Sequence, residues 1–177
     1  MRDMLRNLTR DSHERVDALY GACKLAREAD YRRFLTAQAA AWISLRPGLD
    51  DGSAARKAAI LADLDALRIA PPSPLDPAGL PASDAIGMRY VLEGSRLGST
   101  LLLRDLRASA PALADIAGRY LNVSADLDGW RHLSTILQFW PRNDVSDAAI
   151  IADARRTFAL FEQAWWASGQ PEMKVSH

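Results

Sequence analysis

Cysteine is almost absent from this chain: Cys23 is the single one in 177 residues. That excludes an intramolecular disulfide and any multi-cysteine zinc or iron–sulfur site. Histidine is scarce too, with three, one of them the terminal His177. Long apolar runs are missing, and none approaches the roughly 18 residues that cross a bilayer. The opening segment, MRDMLRNLTRDSHERVD, is charged throughout and has no apolar signal region, so a cytoplasmic protein is expected. Neither sign of charge is in excess. Lys plus Arg equals Asp plus Glu at 22 each, so no overall field favours nucleic acid or an anionic membrane as partner. No Gly-rich phosphate loop, HExxH zinc helix or nucleophile elbow occurs, and no bound flavin or NAD is expected.

What the chain does have is helical periodicity. Residues 2–20 place Met4, Leu5, Leu8, Val16 and Leu19 near one face, with Gly21 as a stop. Asp30 reads as the cap of YRRFLTAQAAAWISLR, which Pro47-Gly48 ends, and a third amphipathic stretch covers residues 53–68. The five prolines of APPSPLDPAGLP fix φ and remove donors, so this segment is an ordered crossing loop. Ser83 or Asp84 can cap a long fourth helix that ends near Ser109, and Pro111 suits the start of a short fifth through Tyr120. A sixth covers residues 126–140, and Ser146-Asp147 caps a seventh. There is no period-2 run and no repeat. The reading is one all-α domain over residues 1–177, with about seven helices, a core within residues 2–167 and a frayed tail past Gly169.

Inside the fourth helix lies YVLEGSRLGSTLLLRDL, with Gly94, Ser95, Gly98 and Ser99 at its centre. Each helical glycine costs about 1 kcal/mol relative to alanine. Three uses would repay two of them one turn apart: close helix–helix packing, a functionless kink, or a backbone that must lie against a flat ligand. His13 and Asp17, four apart, are stacked neighbours on the first helix. The pair is either an ordinary surface contact, the commoner case on spacing alone, or a histidine whose second nitrogen is left basic for a metal. Arg6 and Arg131 are suited to carboxylates, although solvated surface arginines are the usual case. Trp165 and Trp166 cannot both face inward. Asp50-Asp51 and Asp63/Asp65 read as loop and solvent-face charges.

In helix order these segments resemble the heme oxygenase family, particularly its compact bacterial branch, over most of residues 2–167. LRNLTRDSHERVD is similar to the family's first-helix motif, with Thr9, His13 and Asp17 at its threonine, proximal histidine and carboxylate. YVLEGSRLGST is similar to the distal-helix motif, and WRHLSTIL to a later segment in which Arg131 takes the place of a propionate-binding arginine. Arg6 falls where the family carries a basic residue near the other heme edge. Many members have an aspartate after the first distal glycine and a second glycine in the distal Gly-Gly pair. Ser95 and Ser99 stand there in this chain, which resembles bacterial members with a Gly-Ser-x-Leu-Gly pattern that lack the aspartate too.

The resemblance implies heme b, as cofactor and substrate, sandwiched between the first helix and a Gly-kinked distal helix. It implies His13 as iron ligand, Asp17 as the fixer of its tautomer, and Arg6 and Arg131 on the propionates. Gly94 and Gly98 would let backbone approach the distal side, and Ser95, with ordered water, would deliver protons. The implied activity is oxidative opening of heme by O2 to biliverdin, carbon monoxide and ferrous iron. Electrons would come from a ferredoxin or an NAD(P)H-dependent reductase. Iron acquisition, or supply of a bilin-using photoreceptor, would be the role. The same features fit a second class, a helical protein that holds heme or another ligand without turnover, as sensor, carrier or interaction module.

Overall fold

Two of the seven expected helices break, and each break has a local cause. The computed structural model describes residues 1–45, 50–76, 79–82, 85–141 and 143–169. Among these, nine helices form and no strand: α1 Arg2–Leu8, α2 Arg10–Gly21, α3 Glu28–Ser44, α4 Asp51–Ala66, α5 Ile86–Ser109, α6 Pro111–Ala117, α7 Arg119–Ser124, α8 Asp128–Gln138 and α9 Asp144–Ser168. The first break is at Thr9 (φ −113°, ψ 7°), whose backbone N–H and side-chain Oγ1 both donate to the Leu5 carbonyl, at 2.9 and 2.7 Å. Such back-bonding by a threonine hydroxyl bends helices. The second is at Gly118. There the Asp63 carboxylate of α4 accepts from the backbone N–H groups of Arg119 (3.2 Å) and Tyr120 (2.8 Å), capping α7 from a neighbouring helix.

Asp63 is therefore not a solvent-face charge; it is fully buried. Desolvation pushes its carboxyl above the usual range, and the Tyr120 and Arg119 bonds oppose that shift. Asp50 is likewise a cap, accepting from Ser53 N at 2.7 Å. Two expected helix starts move. α3 begins at Glu28, two residues before Asp30, and Asp30 instead accepts from Lys24 N at 3.2 Å. α9 is capped by Asn143, which accepts from Val145 N and Ser146 N, while Asp147 is buried inside its first turn. Asn is among the best capping residues, and the first competent side chain in the chain takes the role. The expected Pro47-Gly48 stop, the Ser83 or Asp84 cap and the tail with His177 lie outside the described residues.

α5 and α9, the two longest helices, carry both halves of the core. On one side α3, α4 and α7 bring Tyr31, Phe34, Trp42, Ile60, Leu64 and Leu121 against Met88, Leu92, Leu103 and Leu106 of α5 and Phe161 and Trp165 of α9. Alanines 37, 39, 40 and 41 are buried around α3, so its neighbours approach on several sides. On the other side Leu5, Val91, Leu133, Leu137, Ile150, Ala154 and Phe158 join α1, α5, α8 and α9 in a smaller cluster. Each fully buried leucine or phenylalanine contributes about 2 kcal/mol. The proline-rich crossing is tied down where Leu75 N donates to Ser44 Oγ at 2.8 Å and where Leu80 is buried. Trp165 is buried and Trp166 exposed, as the adjacent pair requires. Among the described residues no helix is long and apolar enough to cross a membrane.

Candidate functional site

α2 presents His13 one turn after the Thr9 break, with the His13 N–H on the Thr9 carbonyl at 3.0 Å. Its Nδ1 lies 3.0 Å from Asp17 Oδ2, and both side chains are more than half exposed. The carboxylate therefore holds one ring nitrogen, and Nε2 is the nitrogen left for another partner. The imidazole also stands edge-on to Phe158 of α9, ring centroids 5.7 Å apart. Phe158 shares its buried cluster with Val91 of α5 and Leu5 of α1, so α9 is the common floor beneath α2 and α5. Among the described residues no group of three or more His, Cys, Asp or Glu side chains is placed to hold a metal ion.

α5 runs unbroken through Gly94 and Gly98. A Cβ on Gly98 would meet nothing within 4 Å, and one on Gly94 would reach only the Trp130 ring, at 3.6 Å. Close packing against another helix is therefore not what these glycines serve. That role belongs to Gly87 on the same helix, where a Cβ would run into the Ile150 carbonyl and Ala154 N of α9. Residues 94, 97, 98 and 101 share one helical face, and Leu97 and Leu101 are 45% and 54% exposed there. The result is an uncovered apolar stripe with two gaps in its side-chain layer. Its open apolar surface has room for a flat ligand lying against the helix backbone.

Ser99 turns away from that stripe, whereas Ser95 is exposed beside it and has its hydroxyl tied to the helix behind. Ser99 is buried and donates to the Ser95 carbonyl at 3.1 Å. Ser95 donates to the Leu92 carbonyl and accepts from Arg56 Nη2, each at 2.8 Å. Arg56 of α4 was not singled out from the sequence, yet it is 1% exposed. Its Nε bonds Ser124 Oγ (3.1 Å), its Nη1 bonds the Leu92 carbonyl (2.6 Å), and its plane lies 4.6 Å from the Trp42 ring centroid. Burial pulls its guanidinium below the ordinary value. Tyr120 opposes that, the neighbouring Arg96 charge adds to it, and Glu93 opposes it. Beside it, Glu93 and Arg96 form a buried ion pair at 2.6 Å, with Arg96 also bonded to the carbonyls of Val123 and Asp126. One available signal was position: Arg56 shares the stripe of Ile60 and Leu64, where a solvated arginine would not sit.

Arg6 is exposed on α1 near Tyr90 of α5. Burial raises the Tyr90 phenol from its ordinary value, and the Thr9 hydroxyl and the charges of Arg6 and Arg2 oppose that. Tyr90 also lies 6.0 Å from Trp130, so α1, α5 and α8 meet beside Gly94. Arg131, next to Trp130, is exposed and paired with Asp128 at 2.8 Å. The structure thus joins His13 to Asp17, and Thr9 and Arg6 to Tyr90. It ties Ser95, exposed on α5, to the buried Arg56, and it buries Ser99 behind the stripe.

No family model matches the chain. Over 85 residues, however, the chain is 34% identical to a curated protein of Xanthomonas campestris named heme oxygenase, a stretch that makes up 48% of this chain and 52% of that one. The chain thus spans about half the length of the curated relative it matches.

Proposed function

We propose that the chain binds heme between α2 and α5 and opens it oxidatively. The observation that carries this reading is the uncovered Gly94–Leu97–Gly98–Leu101 face, where Gly98 opens onto empty space. The likeness to the Xanthomonas protein and the His13–Asp17 pair support it. Heme bound there supplies the iron at which O2 is reduced and is also the ring that is opened, giving biliverdin, carbon monoxide and ferrous iron.

The chain's own residues do the placing. Asp17 accepts from His13 Nδ1–H and so keeps Nε2 unprotonated for the iron. Gly94 and Gly98 remove the side chains that would hold a planar ring away from the α5 backbone. Arg6 and Arg131 are exposed near the rim, where a guanidinium can take a carboxylate in two parallel bonds. Leu97 and Leu101 cover apolar ring surface and keep bulk water from it. A ferredoxin or an NAD(P)H-dependent reductase is the proposed electron source.

Heme titration tests the reading directly. A Soret shift that saturates at one equivalent, and that His13→Ala abolishes or displaces, is the expected result. Reductant under air should then bleach the Soret band and raise a bilin band in the red. A stable ferrous–oxy spectrum would reduce the protein to a heme carrier or sensor, and absence of any Soret shift would overturn the site itself.

A further inference from the structure

We infer that Arg56 is the positioning residue that turns Ser95 into a hydrogen-bond donor toward a ligand held over α5. The inference rests on the heme reading above and goes beyond it by assigning a role to a residue of α4 that lies behind the distal helix.

The Leu92 carbonyl draws more donors than it can hold. The Leu92 carbonyl receives Arg56 Nη1 at 2.6 Å and the Ser95 hydroxyl at 2.8 Å. It is also the acceptor of the helical i+4 amide of Arg96, because α5 is unbroken there. Three donors meet an oxygen with two lone pairs. Ser95 contributes the one bond the carbonyl can lose without being left unsatisfied. Its oxygen, meanwhile, is pinned by Arg56 Nη2 at 2.8 Å. The hydroxyl hydrogen can therefore rotate about the Cβ–Oγ bond while the oxygen stays fixed.

Charge favours the same outcome. The Nε, Nη1 and Nη2 bonds of Arg56 go to two hydroxyls and a carbonyl, none of them a carboxylate. A cation donating to a hydroxyl oxygen polarises its O–H and strengthens it as a donor. Ser95 itself is exposed at the α5 surface, whereas Arg56 is buried. An interior cation thus acts on the open side through one serine. Lysine could carry the charge but not the paired Nη1 and Nη2 bonds.

Fluoride, which accepts hydrogen bonds, is the probe, and its affinity for the ferric heme complex is the readout. Ser95→Ala should weaken fluoride about tenfold, the loss of one charge-assisted bond. Arg56→Lys should weaken it by a similar factor alone, and by less than about twofold in the Ser95→Ala background. Equal effects of Arg56→Lys in both backgrounds, or no effect of Ser95→Ala, would overturn the inference. An independent arm needs no heme and no arginine variant. The Arg56 Nη proton resonances of the unliganded protein should shift and exchange faster in Ser95→Ala. Unchanged resonances would sink the Arg56–Ser95 link even if heme binds. Shifted resonances with no Soret response would instead leave the link in place and overturn both the heme reading and the role that rests on it.

Discussion

The Cα of Gly87 faces the Ile150 carbonyl so closely that no side chain fits between them. Here α5 and α9, the pair that carries both halves of the core, pack backbone against backbone. About three turns further along the same helix Gly98 faces open space. Two glycines on one helix therefore answer to different demands: one lets backbone meet backbone, and the other leaves a surface bare.

The contrast predicts opposite effects for the same substitution. Gly87→Ala must push α9 away and should cost about 3 kcal/mol or more, since the obstacle is backbone. Gly98→Ala has nothing to displace and removes a helix penalty, so it should stabilise the unliganded protein by about 0.5–1 kcal/mol. That corresponds to a rise in Tm of roughly 1–4 °C at this chain length. In the heme titration the same variant should bind more weakly, because the new methyl occupies the bare surface. A Gly98→Ala protein that is both more stable and unchanged in heme affinity would show that the stripe is not the ligand face.

Asp17 offers a second separation of structure from function. Its pair with His13 is exposed on both sides, so Asp17→Asn should change the unfolding free energy by less than about 0.5 kcal/mol. Partners that orient a metal-ligating histidine typically alter affinity by about 10–100-fold, and heme affinity should fall within that range. Equal heme affinity in Asp17→Asn and the parent would return the pair to an ordinary surface contact.

How far the sequence could be read depended on whether the deciding partner was local. The helices, their apolar faces and the crossing loop follow from spacing, capping chemistry and proline, all properties of near neighbours. The His13–Asp17 pair is an i,i+4 contact and was legible for the same reason. The break at Thr9 also has a local cause, but a threonine hydroxyl bonds i−4 in many unbroken helices, and the sequence does not say which will bend. Asp63 could not be read as a cap, because the amides it satisfies lie 56 and 57 residues away. Arg56 is the same case: its partners Leu92, Ser95 and Ser124 come from α5 and α7, and only its place on an apolar stripe hinted at burial. Gly94 and Gly98 remained ambiguous because a glycine's purpose is set by what faces it.

Gly129 at the start of α8 is a third kind of glycine. A Cβ there would collide with the Glu93 carboxylate, the acidic half of the buried pair with Arg96. Gly129→Ala should therefore displace Glu93 and cost about 2–4 kcal/mol, in the range of breaking a buried ion pair. The three atoms nearest to such a Cβ all belong to that one side chain. In a Glu93→Ala background the added cost should shrink below about 0.5 kcal/mol, which denaturant melts of the four proteins would measure. Additive losses in the double variant would mean that α8 itself, and not Glu93, resists the methyl.

The buried phenols set the alkaline limit of the fold. Tyr20 donates to the Phe161 carbonyl at 3.0 Å and Tyr31 to the Ala117 carbonyl at 2.6 Å. Desolvation raises both phenols well above their ordinary value of 10, with Tyr120 adding to the shift of Tyr20, and Asp63 and then Tyr120 adding to that of Tyr31. Burial likewise pushes the Cys23 thiol from 9 up to about 11, with Asp30 adding to the shift. The folded chain thus keeps protons that the unfolded chain releases. These three groups leave stability untouched below about pH 9; their contribution begins to fall as Cys23 ionises in the unfolded state, and falls more steeply above pH 10 as the two tyrosines follow. In a titration at 295 nm, Tyr20 and Tyr31 should ionise together with the loss of helical circular dichroism, not before it. Cys23 should react with a disulfide reagent at pH 8 about a hundredfold more slowly in the native protein than after denaturation, from its smaller thiolate fraction. Tyr31→Phe should cost about 1 kcal/mol at neutral pH, by leaving the Ala117 carbonyl without its donor, and should flatten the decline above pH 10. Phenolate absorbance that rises while the helical signal holds would show that the interior releases these protons without opening.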